Sequence, residues 1–352
     1  MKKKVEISKP IIEDEEIGAV VNVLKSRYLA QGPLVKKLEE KFAKYCGAKY
    51  AVAANNGTAT LHCALYAIGV EEGDEVITTP FTFVATANSI LMQRAKPVFA
   101  DIKEDTFNID PQEAEKQITK KTKAIMPVDL FGLMYDVDAI HGLAKKYRVK
   151  VVDDAAQSVG AKYKDRMSGS LADVSSFSLY ATKNITAGVG GMITTNDKNI
   201  MEKCKLFRHH GQDEGTMYEY LEFGYNYRMV DMIAAIALEQ LKKIDKFTQA
   251  RRKNAAYLTK KLKNIEGLVL PSEKAGYKHV YHQYTVRVTK DFAATRDEFI
   301  KQLEKKGIFP KIFYPKPLHL FPHLKKYGYR KGDFARTPPC HKRRTRQNGC
   351  CH

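Results

Sequence analysis

From Lys49 onward, short apolar runs alternate with amphipathic stretches. The runs Tyr50-Ala-Val-Ala-Ala54, Glu75-Val-Ile-Thr-Thr79, Pro97-Val-Phe-Ala100, Lys123-Ala-Ile-Met-Pro-Val128 and Val149-Lys-Val-Val-Asp153 read as strands, with helix-like segments between them. This rhythm predicts an α/β fold with a mostly parallel central sheet flanked by helices, whose ligands gather in the loops after the strands. Downstream, Val230 to Leu262 reads as one long helix with Ile233, Ile236, Leu241 and Ile244 among its apolar positions. It leaves the first domain and begins the second. A strand at His282 to Val288, a helix at Thr295 to Lys306 and a strand near Ile308 to Tyr314 then predict a smaller C-terminal α/β domain. The expected division is 1–242 for the large domain with an N-terminal arm, 243–335 for the small one, and 336–352 for a basic tail.

Composition changes this picture little. With 352 residues, 44% hydrophobic and 28% charged, the chain matches an ordinary globular protein with a sizeable core. Met1 to Pro10 has positive charge but no following apolar stretch, so no export signal is expected. The run Phe83 to Met92 is broken by Thr86, Asn88 and Ser89, and no span long enough for a bilayer is expected. Cys46, Cys63 and Cys204 are scattered singly, without the spacing of a zinc site or a disulfide framework, which predicts no metal and a reducing cytoplasm. The formal charge of +19 would concentrate any anion. Because the lysines interleave with glutamates, they read as solvated helix faces rather than a nucleic-acid surface. The segment from Arg336 to His352 has no acid, no branched aliphatic side chain and half of the six cysteines. It is expected to be a non-native end that leaves the small domain incomplete and less stable.

Three segments carry chemistry. Ala54-Asn-Asn-Gly-Thr-Ala-Thr-Leu61 puts a small turn between a strand and a helix, where the amides of Gly57 and Thr58 could hold a phosphoryl group. The same letters also make an ordinary turn and N-cap. Val151-Val-Asp-Asp-Ala-Ala-Gln-Ser158 ends a buried strand with two acids. One of them could keep a pyridine nitrogen protonated, or both could cap the next turn. Ser175-Ser-Phe-Ser-Leu-Tyr-Ala-Thr-Lys-Asn184, followed by Ala187-Gly-Val-Gly-Gly191, sets Lys183 between an apolar strand and a glycine-rich turn. Partial burial there would depress its pKa and leave an amine able to form a Schiff base. Phosphate turn, strand-end acid and lysine follow the order that a pyridoxal-phosphate site requires.

At these positions the chain resembles the DegT/DnrJ/StrS-type sugar aminotransferases, which have the fold-type-I aminotransferase architecture. The resemblance runs from roughly Ile7 to Phe334 and includes Ala30-Gln-Gly-Pro33, Gly73-Asp-Glu-Val-Ile77, Thr79-Pro-Phe-Thr-Phe-Val-Ala-Thr86, Asp154-Ala-Ala-Gln157, Phe177-Ser178 with Lys183, and Gly224-Tyr-Asn-Tyr-Arg-Met229. It implies that Lys183 holds pyridoxal 5′-phosphate covalently and that Asp154 pairs with the pyridine nitrogen. It further implies that Gln157 approaches the ring hydroxyl, that Phe83 stacks on the ring, and that Gly57, Thr58 and Ser178 hold the phosphate. Asn226, with Arg228 beside it, would reach that phosphate from the partner subunit of a homodimer with shared active sites. His210, Tyr314 and His319 fall in segments where the resemblance places substrate contacts. The implied reaction moves an amino group from glutamate or glutamine to a keto-sugar nucleotide, in the cytoplasm. Sugar dehydratases of the same fold carry histidine in place of the lysine, and a non-catalytic binding or regulatory relative is the further alternative. Val189 stands where family members often have an acid, a difference expected to bear on substrate preference.

Overall fold

The structure is a computed structural model that describes residue 5, residues 7–213, 215–216 and 218–338, and the backbone of 349–351. In chain order the first strands are β1 (Tyr50–Ala54), β2 (Glu75–Thr78), β3 (Lys96–Phe99), β4 (Thr122–Ile125) and β5 (Lys150–Asp154), close to the apolar runs in the sequence. The hairpin β6 (Lys162–Tyr163) and β7 (Arg166–Met167) follows, then β8 (Val174–Ser178) and β9 (Gly191–Thr195). The central sheet has seven strands in the order β1-β9-β8-β5-β4-β2-β3. Neighbours from β8 to β3 pair in parallel, while β9 is antiparallel to both β8 and β1. The carboxyl ends of β1, β2, β5 and β8 therefore open on one side.

Alternation along the strands assigns each side chain to a layer. Val52, Val76, Val152 and Ile193 pack with helices α3 (Gly57–Ala67), α4 (Val84–Met92) and α7 (Lys198–Arg208). Ala51, Ala53 and Met192 face the opposite layer, formed by α2 (Pro33–Cys46) and the first half of α8 (Asp231–Leu262). Ile77, Ile125 and Val151 meet α5 (Pro111–Lys116) and α6 (Val137–Tyr147). By the same parity, Asp154 shares the face of Val152 and so looks toward α3 and α4.

Three buried charged residues fix the large unit. Asp231 at the start of α8 accepts hydrogen bonds from the amides of Gly32 (2.9 Å), Leu34 (3.2 Å) and Val35 (3.0 Å), and so caps α2 rather than its own helix. A Cβ at Gly32 would lie 2.6 Å from the Asp231 carboxylate, which explains the glycine before Pro33. At the end of α7, Arg208 is 1% exposed, pairs with Glu39 on α2, and donates to the Ala53 carbonyl at 2.7 Å. Glu39 in turn accepts from the Ala53 amide at 2.8 Å. The pair clamps both sides of the last turn of β1, directly before the candidate phosphate turn.

An N-terminal helix, α1 (Asp14–Ser26), packs on α8. Helix α8 is continuous for 32 residues and runs unbroken through the expected boundary at 242. Beyond it lie β10 (Leu268–Val269), β11 (Tyr277–Lys278), β12 (Val286–Val288), α9 (Arg296–Lys305) and α10 (Pro322–Lys325). The backbone of β13 (Gly349–Cys351) pairs with β12. The expected helix at 295–306 forms with Thr295 as its cap. The expected strand at 282–288 shortens to β12, and 308–314 contributes an isolated bridge from Ile308 to Val5 instead of a strand. Pro310 removes a ladder donor within this stretch, and Pro315 and Pro317 do so directly after it, while Phe313 and Tyr314 pack against the cluster that contains Phe81 and Phe131. Of the expected aberrant tail, residues 339–348 and 352 lie outside the described residues. Its first residues hold to the body: the Arg336 amide and the Thr337 hydroxyl donate to Asp101 at 2.8 and 2.7 Å.

Replacing Arg208 with methionine would leave Glu39 buried without its cation. A loss of about 3–5 kcal/mol of unfolding free energy is expected, measured by urea denaturation. An unchanged denaturation midpoint would show that the clamp contributes nothing.

Candidate active site

A cavity of about 440 Å³ opens at the carboxyl ends of β1, β2, β5 and β8 and is lined by Gly57, Thr58, Phe83, Asp154, Gln157, Ser178, Lys183 and Tyr314, among others. A larger groove of about 640 Å³ lies between α1, α2 and α8, but the acid and amine it brings together, Glu239 and Lys242, form a solvent-exposed ion pair. The chemistry resides in the smaller space.

Its floor begins where β1 meets α3. Asn56 adopts an extended backbone and its side chain accepts from the Ala59 amide at 2.8 Å, which stops the strand and starts the helix. The amides of Gly57 and Thr58, in the first turn, have no intrahelical acceptor, and the helix dipole favours an anion at that point. A Cβ at Gly57 would stand 2.9 Å from that of Ser178, so glycine is what lets the start of α3 approach the end of β8. Ser178 Oγ accepts from the Tyr180 amide at 3.3 Å. The two amides and the hydroxyl form a cradle suited to a phosphoryl group.

Lys183 follows in the loop between β8 and β9. Its amide donates to the Tyr180 carbonyl at 2.8 Å, and the Leu179 amide to Gly190 at 2.8 Å, so the loop is pinned on both sides. The residue keeps part of its surface open to the cleft while protein atoms enclose its amine. Burial lowers its pKa from 10.5 to about 8, and the negative charge of Asp154 partly offsets this. Asp154 is 5% exposed at the end of β5. Its carboxylate accepts from the Thr86 hydroxyl at 2.7 Å and from the Ala156 amide at 3.3 Å. Burial pushes its pKa up, against the opposing influence of Thr86, Ala156 and Lys183. Acid and amine share the cavity and influence each other through their charges, with no hydrogen bond between them. A flat ring placed between them would find a cation-stabilising carboxylate on one side and a nucleophilic amine on the other.

The walls suit such a ring. Phe83, the N-cap of α4, is 60% exposed within the cavity lining, where a bare aromatic face is costly unless something covers it. Gln157 accepts from the Phe131 amide at 2.8 Å, and its Nε2 lies 3.5 Å from the Tyr314 hydroxyl. These donors, together with the cradle, fit pyridoxal phosphate.

The remaining candidates lie off the cavity lining. Arg228 contacts His209 Nε2 at 2.7 Å and His210 Nε2 at 3.5 Å, and its Nε donates to Asn226 at 3.2 Å. His319 is 3% exposed and packs its ring 4.8 Å from that of Phe334, beside a cluster in which Leu318 and Leu324 meet Ala87 of α4 and Phe99 of β3. Thr86, which holds the acid, closes the segment Thr79 to Thr86, and its signal in the sequence is a hydroxyl three residues after Phe83 in an otherwise apolar helix start. Arg251 and His282 also line the cavity but belong to no motif.

With this geometry in place, comparison with known proteins is direct. The model of the DegT/DnrJ/EryC1/StrS aminotransferase family matches residues 10–345. The "Pleiotropic regulatory protein" of Geobacillus stearothermophilus is 44% identical over 324 residues, 91% of this chain and 85% of that protein. GDP-perosamine synthase of Caulobacter vibrioides is 39% identical over 322 residues, covering 91% and 86%. Solved structures of a Streptococcus pneumoniae protein in PLP and PMP forms superpose with a TM-score of 0.90 at 29% identity, over 99% of this chain and 92–93% of theirs.

The depressed pKa of Lys183 sets a pH signature. The amine is mostly neutral and reactive above about pH 8, whereas an ordinary lysine stays charged to about 10.5. The rate at which the cofactor-free protein captures pyridoxal phosphate, followed by stopped-flow absorbance, is expected to rise through an apparent pKa near 8. A rate still climbing at pH 10 would contradict the burial of the amine.

Proposed function

Since the chain belongs to the DegT/DnrJ/EryC1/StrS aminotransferase family and is a pyridoxal-phosphate-dependent aminotransferase, we propose that it moves an amino group from glutamate or glutamine to the keto carbon of a nucleotide-linked sugar. The observation that carries this reading is the pairing of Lys183 and Asp154 in one cleft beside a phosphate cradle. The relative named GDP-perosamine synthase supports a sugar nucleotide as acceptor.

When bound, the cofactor supplies an electron sink for charge developing at the donor's α-carbon. Asp154 would keep the pyridine nitrogen protonated, Gln157 would lie toward the ring hydroxyl, and Phe83 would cover the ring. The amides of Gly57 and Thr58 and the hydroxyl of Ser178 would hold the phosphate. Lys183 Nζ would hold the cofactor's aldehyde carbon, and as a buried amine whose pKa is lowered to about 8 it would be suited to take a proton from the donor's α-carbon. Tyr314, at the cavity wall, is the strongest of the substrate-contact candidates, while His210 and His319 would need rearrangement to reach the substrate.

Asn226 of the partner subunit, with the partner's Arg228 beside it, completes the phosphate site in this reading. Exposed Tyr218, Tyr220, Leu221 and Phe223, just before Asn226, support a protein-covered surface there. The enzyme acts in the cytoplasm in this reading; among the described residues no helix is long and apolar enough to cross a membrane.

Incubating the enzyme with glutamate or glutamine and a panel of keto-sugar nucleotides is expected to give an amino-sugar product of the corresponding mass, and none with Lys183→Ala. Failure of every keto-sugar nucleotide, with the cofactor bound, would sink the acceptor assignment. For the shared site, Lys183→Ala and Asn226→Ala subunits are each expected to be nearly inactive, whereas mixed dimers regain activity from the site that carries neither change. Mixed dimers as inactive as the parents would place Asn226 outside the partner's site.

A further inference from the structure

Neighbouring arginines on α8 differ in one respect. Arg252 has a carboxylate partner, since its guanidinium forms a forked ion pair with Glu273 that raises its pKa. Arg251 has none. Its Nη1 donates to the backbone carbonyls of Tyr281 at 3.3 Å and His282 at 3.1 Å, and among the described residues no acid stands within ion-pair reach. Burial lowers its pKa with no carboxylate opposing. Two carbonyl dipoles orient a guanidinium without neutralising its charge, and the other nitrogen–hydrogen bonds of the fork remain available. A half-buried cation without a counter-ion is costly unless an anion visits it.

The position of this cation gives it a use. Arg251 lines the same cavity as Lys183, Asp154 and Tyr314. The loop it anchors carries His282, whose Nδ1 lies 3.2 Å from Asn184 Oδ1, adjacent to Lys183. The acid in the cavity lining, Asp154, is held by Thr86 and does not serve as the counter-ion of Arg251.

We infer that Arg251 is the substrate-anion receptor of the cleft, binding an oxyanion of a reactant through its free guanidinium edge. The shared chemistry is a carboxylate of the amino donor or a phosphoryl oxygen of the nucleotide. The inference rests on the aminotransferase reading for its substrates, but binding can be measured without turnover.

The test is calorimetric titration of the cofactor-loaded protein with glutarate, which has no amine to react, and separately with UDP. Wild type is expected to bind at least one of them. Arg251→Met should weaken that binding roughly ten- to a hundredfold, the loss typical of a charge-assisted hydrogen bond. Arg251→Lys, which keeps the charge, should recover part of it. An effect confined to glutarate identifies the donor carboxylate, and one confined to UDP the diphosphate. Visible absorbance and thermal melting report whether each variant folds and retains cofactor, and Arg251→Gln replaces any methionine variant that does not. A folded variant binding both probes as tightly as wild type overturns the inference, as does a wild type that binds neither at millimolar concentration. If Arg251-dependent binding persists while no keto-sugar nucleotide is aminated, the acceptor assignment fails and this inference stands.

Discussion

The structure depends on one constraint: an acid and an amine are both taken out of water in the same cleft, yet held apart. Burial drives Lys183 toward its neutral form and Asp154 toward its protonated form. Had they closed into an ion pair, each would have satisfied the other and left no chemistry to perform. Separated, they make a polarised gap that suits a ring with a basic nitrogen at one edge and an aldehyde at the other.

Holding that gap open is the work of the surrounding fold. Asp154 sits on the α4 side of the sheet because strand parity puts it with Val152, and Thr86 on α4 then reaches it. Lys183 sits where it does because Gly57 lets α3 close on β8 and because the loop after β8 is tied to Gly190. The Arg208–Glu39 pair holds Ala53 on both its backbone groups, and Asp231 ties α8 to α2. These buried charges lie in the large unit rather than in the cleft, so rigidity is supplied outside the site and reactivity is kept within it.

Much of this was legible in the chain because its signals are local. The five early strands follow apolar runs, α8 follows a helical period, Asp154 follows a strand-end position and Lys183 the glycine-rich loop after β8, and the cavity then brings the two together. What was not legible depends on long-range contacts. Arg251 lies in a basic helix stretch that reads as solvated surface, and nothing local shows that its neighbour pairs with Glu273 while it does not. His319 and Tyr314 lie five residues apart in a proline-punctuated segment, and tertiary packing alone sends one into the cleft and the other into a small aromatic core. The strand expected at 308–314 failed for a local reason instead: Pro310 within it, and Pro315 and Pro317 just after it, remove donors that an apolar pattern does not count.

The most direct test is chemical. Borohydride reduction of the purified holoenzyme should fix a phosphopyridoxyl group, and peptide mass mapping should find it on Lys183. A label on another lysine, or no label on a protein saturated with cofactor, would contradict the assignment.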